Sequence, residues 1–268
     1  MLTLYETYDN LEERKNRLIN HSVERRNKMN ELKLEFQLET TEIPAELDKV
    51  LVSFLKAAVE NYSPALFEKL YNKNSSILKT YVWATYLPGA RFTQEKILLN
   101  QNRFIMTFSD ADIGGLIEFY NAFVLMKYKT YPMHQNSMRL ISVKIRNIPE
   151  IQDTELIIKM KSALIVRKHD STDNSDEYYT CEDPEFEEMV KENLRIFLEK
   201  LNLEMDISDF SITPLKGKKV VTRTWGRLVD GSIGVYKITG NLELLNLLRA
   251  AGVGTRRSLG KGMWEVIY

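Results

Sequence analysis

AGVGTRRSLGKGMWEVIY, residues 251–268, closes the chain. Four of the protein's 12 glycines, Gly252, Gly254, Gly260 and Gly262, crowd into this stretch. Between them stand Thr255, Arg256, Arg257, Ser258 and Lys261. The segment follows a helical pattern, NLELLNLLRAA, and precedes a strand pattern, GMWEVIY. That order excludes a dinucleotide fingerprint, which runs strand, glycine loop, helix. The spacing excludes it too, because Arg257 stands where the third glycine belongs. A phosphate-binding P-loop needs a glycine separated by four residues from Gly-Lys and Ser or Thr after it, and here those positions are Thr255 and Gly262. Two readings remain. A tight helix-to-strand connection needs glycine at its turns. A backbone surface uses glycine to let an anionic ligand approach, with free N–H groups and the three cations holding phosphate. Two glycines suffice for the first, so four favour the second.

Working outward, the basic character continues. From Leu215 to Gly262 there are ten Lys/Arg against two Asp/Glu, whereas Asp170 to Asp209 holds fourteen Asp/Glu against three Lys/Arg. Net charge over the 268 residues is zero, so the polarity lies within the chain. The basic end is an electrostatic footprint for a polyanion. Lys218, Lys219, Arg223 and Arg227 belong to it, on two strand patterns joined near Asp230-Gly231. The single Cys181 excludes an internal disulfide and a cysteine zinc site, which suits a cytoplasmic protein. There is no apolar run of signal or membrane-spanning length, so no membrane partner is expected.

Residues 1–28 are highly charged with few apolar anchors, and read as an N-terminal extension. From Asn30, ELKLEFQLE alternates as a half-buried strand. A helix from Pro44 and a short one after Pro64 follow. Two strands, KTYVWATYLP and NRFIMTFS, lead to a helix capped by Ser109 or Asp110. The strand RLISVKIRN closes the unit. After a linker near Pro149 the order repeats: strand, helix, two strands, helix, strand. The expectation is an α+β protein of two tandem ferredoxin-like βαββαβ domains, 29–150 and 151–268, with the glycine-rich loop at 252–262.

GVGTRRSLGKG before an aromatic strand resembles the C-terminal signature of the RAMP superfamily. With SALIVRKHDSTDNSDEYYTCEDPEFEEMVKENL and the stretch from Lys216 to Val266, it is most similar to CRISPR repeat-processing endoribonucleases. The resemblance implies tandem ferredoxin-like domains that bind the repeat of precursor CRISPR RNA. It implies cleavage without metal or cofactor by the ribose 2′-hydroxyl, leaving a 2′,3′-cyclic phosphate. It also implies a catalytic His at or after the first helix, but Pro44 to Asn74 contains none. Lys69 and Tyr71 occupy that window beside Phe67. The histidines are His21, His134 and His169. If one strand runs unbroken, Lys159, Lys161, Arg167 and His169 share a face, which makes His169 a candidate base among cations. An exposed His with no role is the plain alternative. The expected partner is repeat RNA, with other CRISPR effector subunits and a second copy of the chain as further candidates. A non-cutting RNA-binding RAMP subunit is the main rival function. An unrelated ferredoxin-like ligand-binding or interaction module is the third.

Overall fold

The computed structural model describes residues 29–72, 77–224 and 226–268. The N-terminal extension, with His21, lies outside them. β1 (Met29–Leu38) buries Leu32, Leu34, Phe36 and Leu38 on one face, as its alternation requires. It is followed by α1 (Leu47–Tyr62), α2 (Pro64–Tyr71), β3 (Tyr81–Tyr86), β6 (Arg103–Asp110), α3 (Ile113–Met126) and β8 (Asn136–Ile148). The sheet order is β3-β6-β1-β8, with β7 (Thr130–Met133) added at one edge. Counting only the four main strands, this is the ferredoxin-like order. The short β2 (Glu42–Pro44), β4 (Arg91–Phe92) and β5 (Lys96–Leu98) form a separate three-stranded sheet that the hydrophobic pattern does not announce.

The second unit repeats the plan. β9 (Glu155–Met160), α4 (Phe186–Leu201), β12 (Ser211–Thr224), β13 (Arg227–Thr239), α5 (Leu242–Ala251) and β14 (Trp264–Val266) give the order β12-β13-β9-β14. The chain turns after Met160, and β10 (Val166–Asp170) pairs with β11 (Ser175–Tyr179) in its own two-stranded sheet. The strand from Glu155 is thus broken. Lys159 and Lys161 do not share a strand face with Arg167 and His169.

Each unit has its own core. Phe36 stacks on Phe104 with centroids 4.8 Å apart, and Phe54 of α1 meets the edge of Phe36 at 5.2 Å. In the second unit Tyr236, Trp264, Phe186 and Phe210 are buried together with α5 leucines. Local chemistry sets the helix starts. Ser63 Oγ accepts from Leu66 N ahead of Pro64 at the first turn of α2. The cap of α3 is Asp112, accepting from Gly114 N at 2.9 Å, rather than Ser109 or Asp110. Those two lie at the end of β6: Ser109 Oγ donates to Ala250 O at 2.8 Å, and Asp110 is buried.

The glycine-rich loop joins the units. Gly252 N ends α5 on Leu248 O, Val253 N donates to Gly262 O, Gly262 N to Ala163 O and Thr255 N to Ile165 O, all within 2.8–2.9 Å. Trp83 Nε1 of β3 donates to Ser258 O at 3.1 Å. Lys261 Nζ, buried, reaches Asp48 Oδ2 at the start of α1 at 2.6 Å. Gly260 lies flat on Trp83, where a Cβ would come within 2.6 Å of the ring. Gly262 has φ +76° and no room for a Cβ, which would overlap Val253 O. The connection reading holds for the glycines: all four have positive φ, Gly252 and Gly260 are pressed by Val82 and Trp83 of the first unit, and Gly254 and Gly262 by Ile165 O and Val253 O of the second.

Two predictions follow from this packing. Gly262→Ala forces both a left-handed L-residue and a backbone overlap, so it should cost about 3 kcal/mol or more. Thermal unfolding should drop by roughly 10 °C, while Gly114→Ala on α3 should leave it nearly unchanged; equal effects would make the loop ordinary. Asp110 gives the second. Burial raises its carboxyl from 3.8 to about 6, opposed by hydrogen bonds from Thr80 Oγ1 and Asp112 N. A raised folded pKa means the fold binds the proton more tightly than the unfolded chain. The stability cost is therefore absent below pH 4, grows between pH 4 and 6, and is complete above. Asp110→Asn keeps both acceptor bonds and should stabilise by about 1–3 kcal/mol at pH 8 and by little at pH 4; a gain independent of pH would contradict this.

Candidate active site and RNA interface

The β10–β11 hairpin gathers charge around one carboxylate. Arg167, His169, Asp176 and Tyr178 share a face by period two. Asp176 accepts from Arg167 Nη1 at 2.9 Å, pairs with His169 Nδ1 at 2.9 Å, and accepts from the Tyr178 hydroxyl at 3.2 Å. Arg256 reaches across from the glycine-rich loop, donating to Tyr178 Oη and, at 3.4 Å, to Asp176. Partial burial of Asp176 works against ionisation, but the bonds from His169 and Arg167 outweigh it and hold its pKa below the usual carboxylate range. His169 is thereby oriented through Nδ1, with its side chain 43% exposed.

A second cluster lies in the first unit, in the window where the family resemblance places a catalytic His. Tyr71, at the end of α2, has its hydroxyl 3.1 Å from that of Tyr81 on β3. Lys56 of α1 and Lys79, just before β3, bring their ammonium groups 5.4 and 5.2 Å from the centre of the Tyr71 ring. Neither lysine has a salt bridge with a described residue. Burial, then the charge of Lys56, pulls the Lys79 pKa down. Burial pushes Tyr71 up to about 12, against the bond to Tyr81. Two cations are thus held close with no carboxylate paired to them among the described residues, next to a phenol that stays protonated. Lys69 sits on the exposed side of the last turn of α2. Lys56 and Lys79 escaped the sequence reading because neither belongs to a motif; only the fold brings them to Tyr71.

The cations expected to hold RNA divide into two groups. Lys218, Lys219, Arg223 and Arg227 are exposed on the β12–β13 arm with Lys216, although Lys219 pairs with Asp230 at 2.8 Å. Lys159 is exposed on β9. Lys161, half-buried, donates to Thr107 at 3.3 Å and its pKa is lowered by burial. Arg257 is buried with its guanidinium 3.5 Å from the Phe197 ring centre, and burial lowers it to about 10. Lys261 is taken up by Asp48. Gly252, Gly260 and Gly262 are buried, and Gly254, Thr255 and Ser258 half-buried, so the loop is not an open backbone surface. The sheet also supplies a feature the sequence hid: Lys33 of β1 stands directly across from Lys144 of β8, with no salt bridge to a described residue. His134, with φ 52°, is an exposed turn residue between β7 and β8.

Among the described residues no group of three His, Cys, Asp or Glu is placed to hold a metal ion, and no helix is long and apolar enough to cross a membrane. No significant match to a curated protein was found. Solved structures are similar over nearly the whole chain. One, described as "An RAMP protein binding different RNA substrates", shares 16% identity at a TM-score of 0.77, covering 89% of this chain and 100% of its own. A Cas6-related protein from Pyrococcus furiosus shares 16% at 0.77, covering 90% and 98%. A CRISPR associated protein Cas6 shares 18% at 0.70, covering 90% and 100%. At these identities the likeness is one of fold, the tandem ferredoxin-like arrangement of RAMP proteins. Residues 146–266 match the family "CRISPR associated protein Cas6, C-terminal". The second unit, glycine-rich loop included, therefore matches the Cas6 C-terminal family, and the chain as a whole shares the tandem fold of the RAMP and Cas6 structures.

Proposed function

We propose that the protein binds the repeat of precursor CRISPR RNA in the cytoplasm and cleaves it without a metal ion, releasing guide RNAs to effector subunits. The observation that carries this reading is the convergence of Lys56 and Lys79 on Tyr71 with no salt bridge to a described residue, a site suited to a scissile phosphate. Lys56 binds the phosphate and stabilises charge on the phosphorane. Lys79, whose lowered pKa eases loss of its proton, accepts the proton of the 2′-hydroxyl. The 2′-oxygen forms a bond to phosphorus as the bond to the 5′-oxygen breaks. The protonated Tyr71 phenol supplies the leaving oxygen with its proton. Products are a 2′,3′-cyclic phosphate and a 5′-hydroxyl. Lys69, exposed in the same last turn of α2, contacts the RNA backbone. The β12–β13 arm, Lys159, the Lys33–Lys144 pair and the Arg167–Arg256 hub offer phosphate contacts along the strand.

A second reading places the base at His169. The bond from Nδ1 to Asp176 favours it, because it fixes the ring and leaves Nε2 to act.

Single-turnover cleavage of a repeat RNA in EDTA distinguishes them. Tyr71→Phe and Lys79→Ala should each slow cutting about 100-fold or more, with His169→Ala near the wild-type rate and a 2′-deoxy sugar at the cut blocking all. Loss in His169→Ala alone moves the reaction to the hairpin. A wild-type protein that binds the repeat tightly and never cuts it is a non-catalytic RNA-binding subunit. For the arm, Lys216→Ala with Lys218→Ala should lower the salt slope of binding by about 0.7–0.9 per lost contact; an unchanged slope takes the arm out of the RNA path.

A further inference from the structure

Tyr81, the first residue of β3, lies directly behind Tyr71 and is 2% exposed. Its ring is held from two sides, stacked on Phe108 of β6 at 5.2 Å and edge-on to Phe119 of α3 at 4.9 Å, so its hydroxyl has a fixed place. A buried hydroxyl has to find an acceptor for its hydrogen. Asp110 stands across from Tyr81 in the β3–β6 ladder, but its Oδ1 is taken by Thr80 Oγ1 at 2.6 Å and Asp112 N at 3.0 Å, and Tyr81 makes no hydrogen bond to it. Tyr71 Oη, 3.1 Å away, is the one described acceptor. Distance alone lets either hydroxyl donate, and burial decides between them. Tyr71 is half-buried at the end of α2, so its hydrogen has open directions, whereas the hydrogen of Tyr81 has one. Tyr81 therefore donates and Tyr71 accepts.

We propose that Tyr81 is the positioning residue of the cleavage site: it donates to Tyr71 Oη, turns the Tyr71 hydrogen away from the core toward bound RNA, and holds the phenolate left when that hydrogen passes to the departing 5′-oxygen. This rests on the acid role of Tyr71 in the preceding section. The direction of the bond matters because a phenol has one hydrogen. Were Tyr71 the donor, that hydrogen would be committed inside the protein, and the leaving oxygen would receive none. The electrostatics agree with the assignment. Burial pushes Tyr71 up to about 12 and the bond from Tyr81 works against the rise. Tyr81 is held well above the usual phenol range by burial, then by the charge of Tyr71 and the bond to it, so it keeps its hydrogen. A hydrogen bond to an anion is about twice as strong as one to a neutral oxygen. The Tyr81 bond therefore tightens as charge develops on Tyr71, and it favours the transition state over the bound substrate. Lys56 and Lys79, 5.4 and 5.2 Å from the Tyr71 ring centre, stabilise the same charge.

Two measurements on the intact protein test this. Proton NMR of the wild type with ring-labelled tyrosine reads the direction of the bond without any cleavage. The Tyr81 hydroxyl proton should exchange slowly with water and lie close to the Tyr71 ring, while the Tyr71 hydroxyl proton exchanges too fast to be seen. A protected Tyr71 hydroxyl proton directed at Tyr81 overturns the proposal. The second measurement is single-turnover cleavage of repeat RNA in EDTA. Tyr81→Phe keeps the ring between Phe108 and Phe119, so thermal unfolding and RNA affinity should stay near wild type while cutting slows about 10- to 100-fold. In a Tyr71→Phe background the same change should slow cutting no further, because no phenol remains to be oriented. A wild-type rate in Tyr81→Phe overturns the proposal, and an equal slowing in the Tyr71→Phe background overturns it by reducing Tyr81 to packing. A wild type that never cuts repeat RNA is a different failure: it removes the cleavage reading itself, and the role of Tyr81 with it, whatever the hydroxyl protons show.

Discussion

The docking of the glycine-rich loop between the two units is the constraint on which the arrangement rests. Lys261 crosses from the last connection of the second unit to Asp48 at the start of the first helix, with the lysine buried. Breaking one side of such a pair leaves an uncompensated charge, so the pair enforces position more than it adds net stability. Gly260 on Trp83 and the bond from Trp83 to Ser258 set the distance at the same seam. Met263 packs with Val82 and Ala84, and Glu31 joins Arg146 at 3.0 Å and Arg249 at 3.5 Å. The loop that looks built for a ligand is thus first a rivet. Its remaining open cation, Arg256, points to the hairpin hub.

This changes how the charge of the chain is read. The basic terminal third holds ten cations, but Lys261, Arg249 and Arg257 are buried within the protein. The accessible positive charge is on the β12–β13 arm, and on lysines that become neighbours only after folding, such as Lys33 with Lys144 and Lys56 with Lys79. Unneutralised like charges weaken a fold slightly, and an RNA phosphate removes that cost when it binds.

The tandem strand-helix order was legible because Leu32 to Leu38 alternate cleanly and Pro64 marks the start of a helix. Sequence left open whether the stretch from Glu155 is one long strand or a bent pair, because ALIV after Ser162 is apolar and gives no strong turn signal; it is the fold that sends Leu164 to pair with Ser232 and Val166 into a separate hairpin. Tyr71 and His169 were visible as residue types in suggestive places. Their partners were not, since Lys56 lies 15 positions and Lys79 8 positions from Tyr71 with no motif between. Nor does sequence distinguish a glycine that admits a ligand from one that admits Trp83.

Calorimetric unfolding of the wild type beside Gly260→Val tests the rivet most directly. If the loop couples the two ferredoxin-like units, the wild type unfolds in one cooperative transition, and the valine, driven into the Trp83 ring, splits it into two at separate temperatures. A wild type that already unfolds in two independent steps, or a Gly260→Val protein that keeps a single transition at the wild-type temperature, would contradict the account.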